Sequence, residues 1–263
     1  MSPRIFVVDA FAEAPCGGNP AGVCLLDAPQ PDAWMLSVAA EMRHSETAFL
    51  VREGAAWRLR WMTPATEVDL CGHGTLASAH VLRETGLAKD GETIRFATKS
   101  GELRATARDD GIEIDLPVTP VEPCAAPAAL ASALGVAIVR YGEGNGRCVA
   151  ELATADEVRR AAPDMRRLAT TPPWGVCITA RSDDPRFDFV SRFFAPGKGV
   201  DEDPVTGSAH CALVDWWSKP LGKTEFTAYQ ASPRGGVVRV RAVGGRALLT
   251  GRAVTVLAGE LRV

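Results

Sequence analysis

Four side chains have types and neighbours suited to moving protons: Glu46, His73, Asp203 and Cys71. Glu46 lies in Arg43-His44-Ser45-Glu46-Thr47-Ala48-Phe49, just before an apolar run. A carboxylate there can be partly desolvated, which raises its pKa toward the range where it trades protons near neutrality. The other reading is a capping or surface glutamate. His73 follows Gly72 at the start of an Ala-rich stretch of helical character. The positive end of that helix should lower the imidazole pKa and keep the ring neutral, unless the residue serves as a structural cap. Asp203 closes the acidic run Asp201-Glu202-Asp203-Pro204. It would be the second carboxylate of a proton shuttle with Glu46, or simply part of a turn. Cys71 stands beside a helix start, where a thiolate is favoured, although free cysteine is more often a small packed residue.

The elements that hold these residues read as two copies of one device. Arg60-Trp61-Met62-Thr63-Pro64 is followed by Glu67-Val68-Asp69-Leu70-Cys71-Gly72-His73-Gly74-Thr75. More than a hundred positions later, Arg192-Phe193-Phe194-Ala195-Pro196 is followed by Val200-Asp201-Glu202-Asp203-Pro204-Val205-Thr206-Gly207-Ser208. Each copy is an aromatic strand ending at proline, then an acidic loop, then a Gly-polar step into an Ala-rich helix. So long a period implies two similar lobes rather than a solenoid. Each helix N-terminus offers free backbone N–H groups, and two of them at one cleft would bind a small anion. The expected donors surround Gly72, Gly74, Gly207 and Ser208.

The rest of the chain fits an α+β reading. Strands are expected at 5–8, 49–51, 57–61, 94–98, 103–107 and 112–116, then near Ile138 and Cys148, and at 175–180, 236–242, 247–249 and 253–257. Helices are expected at 31–42, with Pro31 in its first turn, and at 74–84, 127–134 and 155–161. The stiff stretch Pro117-Val118-Thr119-Pro120-Val121-Glu122-Pro123 marks a boundary, because proline fixes φ and restricts its neighbour. It divides a first lobe, 1–117, from a second, 118–251, with 252–263 returning to the first.

Composition narrows the function. A net charge of −3 gives no electrostatic case for nucleic acid. No apolar run approaches the roughly 18–20 residues that span a bilayer. The sequence moves at once into strand-like residues without a signal peptide, and its seven cysteines lack paired spacing, so a reducing, cytoplasmic setting is expected. His44, His73, His80 and His210 form no HxH, HExxH or CxxC pattern. No metal site and no cofactor are therefore expected.

Further short segments complete a recognisable set: Asp9-Ala10-Phe11, Gly18-Asn19-Pro20-Ala21, Gln230-Ala231-Ser232-Pro233-Arg234-Gly235-Gly236 and Thr250-Gly251-Arg252-Ala253-Val254. With Ser45-Glu46-Thr47, Cys71-Gly72-His73-Gly74 and the Asp203 to Ser208 step, and in this order, the chain resembles the PhzF-like phenazine-biosynthesis family over nearly its whole length. That family is related to diaminopimelate epimerase and proline racemase. The resemblance implies two similar lobes, each a curved, mostly antiparallel sheet or barrel wrapped around a central helix, with the site in the cleft between them. It implies that Glu46 is the principal proton carrier and that His73, Asp203 and Ser208 line the same site. Ser45, Gly72, Gly74, Gly207 and Ser208 are then the substrate-binding residues, and a homodimer is expected. The founding activity is cofactor-free isomerisation of a cyclic carboxylate by proton migration, so the partner expected here is a small anionic carboxylate. Two alternatives stand beside the isomerase: an epimerase or racemase using the Cys71 thiol, which the epimerase branch employs, and a binding protein without catalysis.

Overall fold

Runs of β-branched and aromatic residues build the first unit around the N-terminal strand Arg4–Ala10. That strand pairs antiparallel with Asn19–Leu26 on one side and with Ala253–Glu260 on the other, which joins the two ends of the sequence. Asn19–Leu26 lies parallel to Thr47–Glu53, which pairs antiparallel with Ala56–Met62. The sheet continues parallel into Thr93–Thr98, then antiparallel through Gly101–Arg108 and Gly111–Pro117. This computed structural model describes residues 2–89 and 91–262, so Met1 and Val263, the outer limits of the expected first lobe, lie outside the described residues. The units are Met1–Leu116 with Thr250–Val263, and Pro117–Leu249.

Helix Gly72–Glu84 is the centre of the first unit, with ten of its thirteen residues buried. It packs against the strands at 4–10, 19–26, 47–53, 101–108 and 253–260, so the sheet curls round it. A helix buried on nearly every side needs small residues, which accounts for Gly74, Ala77, Ser78 and Ala79. A second helix, Asp32–Met42, covers the sheet elsewhere, and Met35, Val38 and Ala39 join Ile5, Leu26, Phe49 and Met62 in one core. Pro31 is its N-cap rather than a member of its first turn, and Arg43 ends it in the left-handed conformation, φ 55°.

The second unit repeats the plan. Glu122–Pro123, Arg140–Gly144 and Arg147–Glu151 pair antiparallel in succession. Arg147–Glu151 is parallel to Gly175–Arg181, which is antiparallel to Phe189–Ala195. The last of these is parallel to Glu225–Gln230, which is antiparallel to Gly236–Val243. Helix Gly207–Leu221 packs on the strands at 147–151, 225–230 and 236–243. Short helices Ala128–Leu134, Ala155–Arg160 and Met165–Thr170 add Leu130, Leu134, Val158 and Leu168 to a separate core. Both sheets are mixed, each carrying two of the parallel pairings named above.

In both motif copies the expected acidic loop is a short strand that folds back on the aromatic one. Glu67–Val68 pairs with Trp61 and Met62, and Val200–Asp203 pairs with Phe193 to Ala195. The cause is a repeated ion pair. Arg60 grips Glu67 through Nε and Nη2, both at 2.8 Å, and Arg192 grips Glu202 at 2.7 and 2.9 Å. A bidentate guanidinium–carboxylate contact fixes geometry as well as adding energy, so the acidic residues clamp each hairpin and thereby set the start of each helix.

Candidate active site

In the first unit the chain turns from strand Glu67–Val68 into helix Gly72–Glu84 at Cys71, which has extended backbone angles and acts as N-cap. Its Sγ accepts a hydrogen bond from Gly74 N at 3.3 Å, and its carbonyl accepts one from Thr75 Oγ1 at 2.6 Å. The backbone donor expected at Gly74 for a ligand is thus engaged by the thiol. Glycine is required there for a different reason. A Cβ would stand 2.8 Å from Trp61 Cδ1 and 3.0 Å from Cys71 Sγ, so the helix start can lie against the indole only without one.

Glu46 is carried to this turn by the strand it precedes. Its carbonyl accepts from Gly22 N, and Gly22 lies so close to Thr47 that a Cβ would meet the threonine Oγ1 at 2.8 Å. This close parallel pairing brings Glu46 to His73. Glu46 Oε2 sits 3.3 Å from His73 Nε2, with side-chain exposures of 19% and 6%. The contact is an ion pair off the axis of a hydrogen bond, and this oxygen is shielded from solvent and accepts no hydrogen bond. Ser45 Oγ lies 3.4 Å from the same imidazole nitrogen, and Asn19 Nδ2 lies 3.3 Å from Nδ1. Cys71 Sγ is 3.6 Å from Nδ1 and 3.8 Å from Nε2.

The charge states differ from those expected of the isolated residues. Burial alone would raise the Glu46 pKa, yet contacts with His73, Ser45 and Cys71 outweigh it and hold the carboxyl below its usual range. Burial would lower the His73 pKa, but the Cys71 and Glu46 contacts outweigh it and lift the imidazole well above its usual value. The sequence predicts a raised glutamate and a neutral histidine; the cluster reverses both directions, because His73 lowers Glu46 and because Cys71 and then Glu46 raise His73. An imidazolium donates from both nitrogens, so in that state the Asn19 amide must turn its oxygen toward Nδ1. Cys71 also departs from expectation. Burial pushes its thiol pKa up, ahead of the lowering effect of His73 and the backbone N–H, so the thiolate expected at the helix end is not favoured.

In the second unit Asp203 ends strand Val200–Asp203, and helix Gly207–Leu221 begins after Thr206. Thr206 Oγ1 donates to Asp203 Oδ2 at 2.6 Å. Gln230 bridges the turn by accepting from Thr206 N at 2.8 Å and donating to Asp203 O at 2.7 Å. Ser232 Oγ donates to Pro204 O at 2.8 Å. Gly207 is buried and Ser208 half-buried at the helix start.

Glu46, Ser45, Cys71, Gly72, His73 and Gly74 therefore meet in the first unit, while Asp203, Gly207 and Ser208 gather in the second. Sequence reasoning gave no role to Asn19, Trp61, Thr206 or Gln230. Asn19 and Gln230 are both fully buried polar residues at a strand end, and their place in recurring motifs was the available signal. The expectation of no metal rested on local spacing, which cannot register a donor brought from a distant strand. Glu46, Cys71 and His73 each present a ligand atom, all within 4.8 Å of one another.

Two mixed-sheet units, each around a central helix, with an acid–imidazole pair at one helix start, define a diaminopimelate epimerase-like α+β protein. The chain belongs to the phenazine biosynthesis-like (PhzC-PhzF) family, whose model matches residues 8–259. It is 46% identical over 263 residues to an uncharacterized isomerase of Pseudomonas aeruginosa, covering 100% of both chains. It is 44% identical over 262 residues to an uncharacterized isomerase of Halalkalibacterium halodurans, covering 99% of each. The crystal structure of a PhzF-family protein from Enterococcus faecalis superposes with a TM-score of 0.95 at 38% identity, covering 100% of both chains. Among the described residues no helix is long and apolar enough to cross a membrane.

Proposed function

We propose that this chain is a cofactor-independent isomerase that moves a proton between carbons of a small carboxylate, cyclic or amino, with Glu46 as the carrier. The observation that carries the reading is the half-buried Glu46 carboxylate, its shielded Oε2 3.3 Å from an imidazole that is itself held from both sides. Resemblance to relatives named as isomerases supports the same class. Glu46 is ionised at rest and so ready to accept a proton from carbon. Its burial limits the stability of that ionised state, so the protonated form is accessible once substrate displaces water. The proton then returns to a second carbon, and Glu46 recovers its charge beside His73. His73 keeps the carboxylate in place and its charge compensated. The backbone N–H at Gly72, at the start of the first unit's helix, is assigned to the substrate carboxylate and to charge that develops as the C–H bond breaks. In the same proposal Ser45 orients the substrate.

The test is proton NMR in deuterated water with a panel of small cyclic and α-amino carboxylates, comparing wild type with Glu46→Gln. Deuterium should enter a substrate carbon with wild type, and the rate should fall by about 10²–10⁴-fold in the variant. Exchange that survives Glu46→Gln would sink the assignment and move the base to Cys71 or Asp203. Binding without exchange by any compound would favour the non-catalytic reading.

A further inference from the structure

The proton-transfer reading uses Glu46 and His73 and leaves the buried Cys71 thiol without a chemical task. Yet the thiol is part of the same cluster, with its Sγ 3.8 Å from the nitrogen that faces Glu46. We infer that Glu46, Cys71 and His73 form a binding site for a borderline-soft divalent cation, Zn²⁺ above all, and that the bound ion blocks the proton carrier.

Geometry is the main argument. Zinc binds thiolate sulfur at about 2.3 Å and imidazole nitrogen or carboxylate oxygen at about 2.0–2.2 Å, usually as a tetrahedron. Those lengths set tetrahedral edges of about 3.5 Å between sulfur and nitrogen and about 3.4 Å between nitrogen and oxygen. The observed edges are 3.8 Å for Cys71 Sγ to His73 Nε2 and 3.3 Å for His73 Nε2 to Glu46 Oε2. The third edge, sulfur to carboxylate, lies within 4.8 Å, and a small rotation of the glutamate side chain closes it. Cys71 Sγ lies almost equally far from Nδ1, at 3.6 Å, so the imidazole or the thiol must turn for both to face one ion at Nε2.

A second observation concerns the carboxylate oxygen itself. Glu46 Oε2 is shielded from water and accepts no hydrogen bond. A buried carboxylate oxygen in that state has an unused acceptor site, and it is the oxygen that faces His73. Two of the donors are held in place without the metal. Cys71 is fixed by its cap to Gly74 N, and the Asn19 amide lies against Nδ1 of the imidazole whose Nε2 would bind the ion. Buttressing of this kind orients a ligand ring and strengthens metal binding. Ser45 Oγ, 3.4 Å from His73 Nε2, or a water would take the fourth position.

The donor set selects the ion. One thiolate and one imidazole favour zinc over magnesium or calcium, which require oxygen ligands. On binding, the Cys71 S–H proton and the proton on His73 Nε2 leave to solvent, and sulfur, nitrogen and the Glu46 oxygen donate to the cation. No oxidant or reductant is involved. The lone pair with which Glu46 would take a substrate proton is then committed to the metal, so the ion acts as a reversible inhibitor. That consequence rests on the proton-transfer proposal, whereas binding itself does not.

The experiment uses the full chain stripped of metal and titrated with Co²⁺, then with Zn²⁺. Wild type should bind one equivalent of cobalt, show a thiolate-to-cobalt charge-transfer band with tetrahedral visible bands, and release cobalt to zinc. Cys71→Ser should lose the charge-transfer band. Glu46→Gln, which leaves the cap at Cys71 intact, should bind zinc at least about tenfold more weakly. His80→Asn, on the far part of the same helix, should bind as wild type does. Near-ultraviolet circular dichroism confirms that each variant is folded. A wild type without the charge-transfer band would overturn the site, as would unchanged zinc affinity in folded Cys71→Ser. Zinc that binds as described while chelator-reversible loss of hydrogen exchange fails to appear would overturn the inhibitory role alone. Binding by absorbance needs no substrate, so a failure of the proton-transfer proposal would be seen separately.

Discussion

Replacing His73 by glutamine should reverse the sign of one part of the pH dependence of stability. In the folded chain the Glu46 carboxyl is held below its unfolded value of 4.5, and the His73 imidazole well above its own value of 6.5. A lowered carboxyl pKa contributes stability above pH 4.5 that is lost as pH falls through the folded value. A raised imidazole pKa contributes stability that is complete below pH 6.5 and is lost as pH rises through the folded value. Between these limits both groups are charged, and at their 3.3 Å separation the attraction is about 5 kcal/mol at an effective dielectric of about 20. Burial offsets part of that, and removing one member of a buried pair typically costs about 3–5 kcal/mol. For a chain of this size such a loss lowers Tm by roughly 6–20 °C, at about 2–4 °C per kcal/mol. Glutamine keeps polar atoms near Asn19 and Ser45 but offers no charge, so burial would then dominate Glu46 and lift its folded pKa above the unfolded one. The variant should therefore gain stability as pH falls from neutrality toward 4.5, over a range where wild type gains none from this carboxyl. Urea melts followed by tryptophan fluorescence between about pH 5 and pH 8 give both curves. Parallel curves, or a difference under about 1 kcal/mol at neutral pH, would refute the ion pair as the source of the reversed charge states.

Three further outcomes follow from the packing around the two helix starts. Gly74→Ala drives a methyl against the Trp61 ring and Cys71 Sγ; it should cost about 1–3 kcal/mol in denaturant melts, while Gly259→Ala, where a Cβ meets nothing within 4 Å, should be silent. Gln230→Ala strands the Thr206 N–H and removes a donor from the Asp203 carbonyl; a loss of about 1–3 kcal/mol is expected, and a neutral result would mean that the turn holds without its bridge. In the native chain iodoacetamide should modify the exposed Cys16 and Cys124 and spare the buried Cys24, Cys71, Cys148, Cys177 and Cys211. Burial pushes the Cys148 and Cys211 thiols up to about 12, and peptide mass spectrometry reads the pattern directly; early labelling of Cys71 would contradict its raised pKa.

The long-period duplication was legible because it lies in residue order: Arg, aromatic, acid, glycine and small residues recur in the same sequence in both copies. What each acid does was not legible. Glu67 and Glu202 read as parts of loops, yet each is clamped by the arginine that opens its motif, and the clamp makes a strand of the loop. Strand Glu225–Gln230 and helix Met165–Thr170 were missed for separate reasons. The first was noticed only for its terminal motif residue. The second is six residues long and announced mainly by its Asp164 cap. At the site, Glu46 and His73 were each picked out, but their charge states were judged from one-body rules: burial for the acid and the helix end for the imidazole. The pairing depends on the parallel alignment of Gly22 with Thr47, a relation between strands that no local pattern encodes. The nearness of Cys71 to this pair escaped for the same reason.

The two copies share a scaffold and differ in what caps the helix, and that difference accounts for where the reactive groups lie. In the first unit the cap is a thiol side chain: Cys71 Sγ takes the Gly74 N–H, and the adjoining imidazole meets a carboxylate across the sheet. In the second unit Thr206 makes no side-chain cap; its hydroxyl turns to Asp203 and its N–H is taken by Gln230. The second turn is thus held by neutral and singly charged hydrogen bonds that can stay fixed while protons move elsewhere. The first places three ionisable groups within 4.8 Å, where a change of charge on any one must shift the other two. A proton carrier needs such coupling, because its two protonation states have to lie close in free energy. The bridged turn of the second unit instead ties its carboxylate to the Thr206 hydroxyl at 2.6 Å.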